Sequence, residues 1–172
     1  MLKSKTISMR YVEESDVEFI LSLRLDNRYN NFLSRVDASL DGQKSWIRKY
    51  KDDEREEKQF YFIIERNDGI PCGTVRIYDI KNDSFCWGSW ILNEDKTRYA
   101  ALESAMLVYE FGFNRLKFKK SHFEVMKENK KVVNFHKKFG AVEIGEDDNN
   151  FYFEITQESV AEFKNKFKEL YE

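Results

Sequence analysis

Two positions in the second half of the chain carry acid–base side chains on neighbouring stretches. His136 lies in the helical pattern Asn129–Phe139, and Glu124 lies in the strand-like pattern Phe118–Met126 before it. An imidazole titrates near neutrality, so it can hold a proton and deliver it. Alternation along a strand sets Phe123 and Val125 on one side and His122, Glu124 and Met126 on the other. A carboxylate facing a partly apolar cleft is raised and can accept a proton, directly or through water. Both residues also have plainer readings, a surface histidine on an amphipathic helix and an exposed strand carboxylate. Glu94 is the reserve base, and Tyr99 and Tyr109 are the reserve proton donors.

A second chemistry is anion binding. The polar run Asn93-Glu94-Asp95-Lys96-Thr97-Arg98-Tyr99-Ala100 leads into a long helical pattern. Free amides at a helix start attract anions, and Lys96 and Arg98 would reinforce a phosphate site there. The alternative is an ordinary polar turn with two solvated cations. Earlier in the chain, Arg24 and Arg28 can pair with a substrate phosphate, and Trp46 and Tyr78 can stack on a base or sugar. Those four also read as core plus surface cations.

Other chemistries lack their parts. There is no HExxH, GxSxG or GxxxxGK[ST]. Cys72 and Cys86 show no ligand spacing and read as packed thiols, so neither a zinc site nor a disulfide scaffold is expected. With 29 Lys+Arg against 31 Asp+Glu, the net charge of −2 argues against nucleic acid as a partner. No apolar run approaches the roughly 18–20 residues that span a bilayer, and the N-terminus lacks the apolar core of a signal peptide. Membrane insertion is not expected, and a reducing cytoplasm is the default location.

The positioning elements follow from periodicity. At 41% hydrophobic and 16% aromatic, the 172 residues can bury a core. No linker or repeat divides them, so residues 1–172 read as a single domain. Residues 5–11 alternate as a strand, and a helix opened by Glu13-Glu14-Ser15-Asp16 carries Val17, Ile20, Leu21, Leu23 and Leu25 on its apolar face. Ser39 or Asp41 caps a helix bearing Trp46, Ile47 and Tyr50, and the charged run Lys51–Lys58 is a solvated loop or helix end. Gln59–Glu65, Gly73–Ile80 and Phe85–Leu92 read as an antiparallel meander. A helix over Tyr99–Phe113 follows, then strand Phe118–Met126 and helix Asn129–Phe139 capped by Gly140. Val142–Ile144 and Phe151–Ile155 form a last hairpin, and helix Gln157–Tyr171 closes a mixed α+β chain.

The order strand, turn, helix, glycine in residues 123–141 resembles the second half of the GNAT superfamily of N-acetyltransferases. Asn129 falls on that family's Asn, and Phe139-Gly140-Ala141 falls on its closing apolar-Gly-apolar unit. Trp87-Gly88-Ser89-Trp90-Ile91-Leu92 resembles its splayed strand before the acyl-CoA loop. Two departures stand out. Asp95, Arg98 and Ala100 occupy the positions where the family's pyrophosphate loop carries Gln or Arg, then Gly, then Gly or Ala, so only the last matches, and Arg98 should keep a negative φ unless the loop is rebuilt. His136 sits where the family usually has a Tyr as general acid.

The resemblance implies a mixed α/β fold, a twisted and mostly antiparallel sheet with splayed central strands flanked by helices. It implies acetyl-CoA as co-substrate, no metal, and direct attack of an amine in a ternary complex. Acyl-CoA would lie against Ile91, Leu92, Asn93, Lys96, Thr97, Arg98, Tyr99 and Ala100, with Asn129 and Lys138 beside it, while His136 and Glu124 do the proton chemistry. Phe123–Met126 with Glu128-Asn129, and Arg24, Asn27, Arg28 and Trp46 early in the chain, are similar to the branch acting on nucleotide-linked amino sugars. That branch would place the acceptor on Arg24, Asn27, Arg28, Trp46 and Tyr78. Ribosomal-protein N-terminal acetyltransferases share much of the pattern, so a peptide acceptor stays open, as does a non-catalytic acyl-CoA-binding domain. The assembly state is open, a homodimer included. If the residues above suffice, thiol release from acetyl-CoA in the presence of an amine acceptor is unchanged by EDTA. Loss of activity restored by a divalent ion would contradict that.

Overall fold

The computed structural model describes residues 1–36 and 38–171. Eight strands form one sheet in the order β1-β2-β3-β4-β5-β6-β8-β7. They are β1 (Leu2–Lys3), β2 (Ile7–Tyr11), β3 (Phe60–Arg66), β4 (Pro71–Tyr78), β5 (Ser84–Leu92), β6 (Lys120–Met126), β7 (Val142–Glu146) and β8 (Asn150–Thr156). All neighbours are antiparallel except β5 and β6. The helices are α1 (Val17–Arg24), α2 (Leu40–Arg55), α3 (Ala100–Glu110), α4 (Lys130–Phe139), α5 (Gln157–Lys166) and the short α6 (Lys168–Tyr171).

β3 shows why the sheet needs cover on both faces. Its run Phe60-Tyr61-Phe62-Ile63-Ile64 is buried throughout, as expected of a strand covered on both sides. Tyr61 and Ile63 pack with Val17, Ile20 and Leu21 of α1 and Ile47 and Tyr50 of α2. Phe60, Phe62 and Ile64 join the larger cluster with α3, α4 and α5 on the opposite face.

Most expected elements appear, with shifts that have local causes. Ser39 is the cap of α2, its hydroxyl accepting from the Gly42 amide at 3.0 Å. Helix α1 ends at Arg24, so Leu25 is 47% exposed and leaves the apolar face assigned to it. The charged run continues α2 to Arg55, and Lys51 reaches the residue just after β2 by donating to the Val12 carbonyl at 3.2 Å. β4 stops at Tyr78, two residues early, because Asp79 takes φ +46°. Gly140 has φ +101°, the left-handed cap its position predicts. The last helix breaks between Lys166 and Lys168. β1 was not foreseen.

The long helix also ends early, at Glu110, and widens into a π turn over Phe111–Arg115. Gly112 in that turn lies against the ring of fully buried Phe85, and a Cβ there would sit 2.1 Å from it. Gly112→Ala is therefore expected to lower stability by about 1–3 kcal/mol in urea denaturation, the usual cost of overpacking. Gly145→Ala, whose Cβ meets nothing nearer than 4.0 Å, serves as the control. Equal stability of both variants would show that Phe85 moves freely aside.

Candidate active site

The site originates in a break in the sheet. β5 and β6 are parallel but pair only at Ser84↔Lys120 and Phe85↔Ser121, after which they diverge. β5 holds an extra residue opposite β4: Thr74 pairs Ile91 while Arg76 pairs Gly88, and Ser89 adopts φ +48°. Such a bulge bends its strand and raises the local twist. The root is fastened from both sides. The Ser121 hydroxyl donates to the Phe85 carbonyl at 2.7 Å, and His122 bridges Ser84 Oγ at 2.5 Å and Asp79 Oδ2 at 2.9 Å. Ser84 is 3% exposed, and this Ser–His–Asp row ties β5 and β6 to the turn after β4.

Beyond the root lies a cleft of about 770 Å³. One wall is β5 from Trp87 to Leu92, the other is Phe123–Met126 of β6 with α4, and the α3 start closes one end. Trp87, Trp90, Phe123 and Phe135 line it with aromatic rings, and Glu124, Asn129, Lys131 and His136 are among its polar residues. Past Phe85, the edge of β5 facing away from β4 has no strand partner among the described residues, and Trp87–Leu92 line this space.

The α3 end has open backbone amides at the place where an anion site is expected. Tyr99 stands in the cap position with no side-chain cap bond. The Ala100 amide donates to Thr97 O and the Glu103 amide to Tyr99 O, leaving the amides of Ala101 and Leu102 with no backbone acceptor among the described residues. Ala101 and Lys96 line the cleft. Asn93 Oδ1 accepts from the Asp95 amide at 2.9 Å. Fully buried Glu103 accepts the Thr6 amide at 2.7 Å, and Thr6 Oγ1 lies 2.7 Å from Thr97 Oγ1, which pins the loop to the β1–β2 connection. Arg98 is exposed over the Tyr99 ring and keeps a negative φ, so the loop is built without the left-handed residue. Ile91 and Leu92 line the cleft; Lys138 lies on the exposed face of α4, outside its lining.

His136 is 5% exposed inside an aromatic box, with ring centroids of Phe123 at 4.2 Å, Trp87 at 5.3 Å, Phe135 at 5.8 Å and Phe153 at 6.5 Å. Nδ1 is buried with no hydrogen-bond partner among the described residues. Burial pushes the imidazole down to about 3. This corrects the expectation of a protonated imidazole: at neutral pH His136 is neutral and presents an N–H, not a full positive charge. The reserve donors do not reach the cleft: Tyr109 is fully buried and accepts from Trp87 Nε1 at 3.3 Å, and Tyr99 lies outside the lining. Glu124 lies on the cleft wall but is exposed, so the apolar enclosure expected around it is missing. Reserve Glu94 is held by Arg28 at 2.8 Å. Burial pushes both Cys72 and Cys86 up to about 11, so neither is a ready nucleophile.

The residues expected to hold the acceptor divide. Tyr78 lines the cleft, and Arg24 and Trp46 line a smaller cavity that shares Ser34, Arg76 and Ser89 with it. Asn27 is exposed outside both cavities. Arg28 is exposed and engaged with Asp26 at 2.7 Å as well as with Glu94. Sequence reasoning missed Arg76, whose guanidinium lies 4.4 Å from the Tyr78 ring centroid and 5.9 Å from that of Trp46. It also missed the cleft residues Ser89, Trp90, Lys131 and Phe135; the Trp-Gly-Ser-Trp bulge was the available signal.

A mostly antiparallel sheet whose central strands β5 and β6 splay apart, flanked by helices, is what the resemblance implied. Residues 7–142 match the acetyltransferase (GNAT) domain. The chain belongs to the GNAT acetyltransferases. It is 28% identical over 138 residues to the "Probable N-acetyltransferase YjcK" of Bacillus subtilis (strain 168), covering 75% of this chain and 76% of that one. A solved structure described as "Apo FdhC- a nucleotide-linked sugar GNAT" is 50% identical, superposes with a TM-score of 0.90, and is matched over 97% of this chain and 96% of that one. The spermidine N-acetyltransferase of Vibrio cholerae, solved with CoA and spermine, shares the fold at 19% identity and a TM-score of 0.77, over 90% of this chain and 98% of that one. This GNAT protein has no helix long and apolar enough to cross a membrane among its described residues. No group of three or more His, Cys, Asp and Glu side chains poised to hold a metal occurs among them either.

The buried imidazole has a thermodynamic signature. The unfolded chain takes up a proton at His136 near pH 6.5, whereas the folded chain does so only near 3. Folding stability is therefore lost as pH falls through this window. Replacing His136 by Phe, which suits the aromatic box, should flatten the fall of melting temperature between about pH 6.5 and pH 4 relative to the wild type. Parallel curves would mean that the imidazole titrates normally in the folded protein.

Proposed function

We propose that this GNAT acetyltransferase moves the acetyl group of acetyl-CoA to the primary amine of a nucleotide-linked amino sugar, by direct attack in a ternary complex. The observation that carries the reading is the 50% identity, at a TM-score of 0.90, to a nucleotide-linked sugar GNAT. The cleft supports it. The open amides of Ala101 and Leu102 with Lys96 suit the phosphates of coenzyme A at one end. Arg24, Arg76 and Trp46 offer cations and an aromatic face on the acceptor side. A thioester bound between them supplies the activated acetyl group.

The chain's own groups divide the work. Glu124 on the cleft wall accepts the amine proton, directly or through water. Unpaired backbone N–H groups on the open edge of β5 polarise the carbonyl oxygen as negative charge grows on it. Neutral His136 donates its N–H to the departing sulfur, which then takes its proton from solvent. The buried state of both cysteines agrees with a route that forms no acyl-enzyme and with a reducing cytoplasmic location.

The test is thiol release from acetyl-CoA across acceptors: a nucleoside-diphosphate amino sugar, the free amino sugar, spermidine and a peptide with a free N-terminal alanine. Turnover is expected to be fastest with the sugar nucleotide, and Glu124→Gln should cut its kcat by about 10²- to 10⁴-fold. Faster turnover of the peptide or the polyamine would overturn the acceptor assignment.

A further inference from the structure

Sorting the arginines by their partners isolates one place in the molecule. Arg10, Arg28, Arg48, Arg55, Arg66 and Arg115 each sit in an ion pair. Of the remaining four, Arg98 stands at the α3 start, and Arg24, Arg35 and Arg76 all line one cavity of about 350 Å³. No Asp or Glu occurs among the described residues that line it.

Arg24 is the unusual member. It is 8% exposed, and among the described residues its side chain donates only through Nη2, to the carbonyl and the hydroxyl of Ser34, each at 3.0 Å. Its Nε is buried with no partner among the described residues, and so is Nε of Arg76. Burial, and the like charge of Arg76, pull the Arg24 guanidinium below its ordinary range. Two neighbouring cations, one nearly out of water and both short of acceptors, are costly unless an anion joins them. Arg76 is held between two rings, Tyr78 at 4.4 Å and Trp46 at 5.9 Å, which orients its fork without using its donors. Trp46 is 37% exposed beside the cavity and offers a surface on which a base or sugar ring can stack.

We propose that Arg24 and Arg76 form a phosphate-ester subsite on the acceptor side, separate from the α3 start, that grips the diphosphate of the acceptor. The subsite deepens the function proposed above and rests on it for the identity of the acceptor. The shared Ser34, Arg76 and Ser89 make this cavity continuous with the cleft holding Glu124, so an anion here and an amine there can belong to one molecule. Arg28, expected from sequence to share this task, is occupied by Asp26 and Glu94, and Arg76 takes its place.

The experiment is calorimetric titration of uridine 5′-diphosphate into the full-length protein saturated with coenzyme A, which blocks the α3 site. The wild type should bind it, and uridine without phosphates should bind far more weakly. Arg76→Gln should weaken the diphosphate tenfold or more while coenzyme A affinity stays within about twofold. It should also raise the acceptor KM more than it lowers kcat, because the subsite is remote from the reacting atoms. Arg24→Lys keeps the charge but loses the fork and should act in the same direction. If Arg24→Lys fails to fold, Arg76→Gln carries the test alone. Arg115→Gln is the control. The subsite is overturned if the wild type does not bind the diphosphate, or if Arg76→Gln binds it as well as the wild type. If the sugar nucleotide is turned over in that second case, the proposed function survives without the subsite. If diphosphate binding depends on Arg76 but no sugar nucleotide is turned over, the subsite stands and the proposed function falls.

Discussion

The constraint on which the rest depends is the failure of β5 and β6 to stay paired. A parallel ladder normally satisfies every backbone group along its length. Here it lasts for two residue pairs, and each surrounding device serves to begin or end it. The bulge at Ser89 turns β5 away, while Ser121 and the Ser84–His122–Asp79 row hold the root shut. The π turn after α3 brings Gly112 onto Phe85 at that same root. Without the divergence there would be no cleft, no open strand edge and no route between the α3 start and the arginines.

Charge is distributed to match. At the α3 end the groups proposed to attract anions are mainly backbone amides, beside exposed Lys96 and Arg98. In the proposed acceptor subsite they are side chains that are buried or flanked by rings. The first kind is cheap, since helix starts leave amides open in any case. The second is costly and persists only where something offsets the desolvation. Between them lies an aromatic stretch with a neutral imidazole, the surroundings in which a developing charge is felt most strongly.

Legibility of the sequence tracked how local the causes were. The cap of α2 at Ser39 or Asp41, the cap at Gly140 and the existence of β3 follow from residues a few positions apart, and the structure has Ser39, Gly140 and β3 in those roles. The positions of Glu124, Asn129 and His136 on the cleft wall followed from strand and helix periodicity together with the family resemblance. The protonation of His136 did not, because its box is assembled from Trp87 on β5, Phe123 on β6, Phe135 on its own helix and Phe153 on β8. Arg76 was overlooked for the same reason. In its strand it reads as an outward cation, and only the arrival of Trp46 from α2 and Arg24 from α1 makes it part of a site. The π turn left no mark in the apolar pattern, which runs on through Phe113.

A sheet joined at so short a root has the shape of a pair of tweezers. The blades are the β1–β5 and β6–β8 halves, and beyond Phe85 and Ser121 no ladder pairing between described residues links them. The girth of molecule that fits between β5 and β6 is thus set by side-chain packing at the mouth and by the loop over Tyr29–Ser34, which contributes to the lining. Such an arrangement lets acceptor size drift by changes in that loop while the acyl-donor end stays constant.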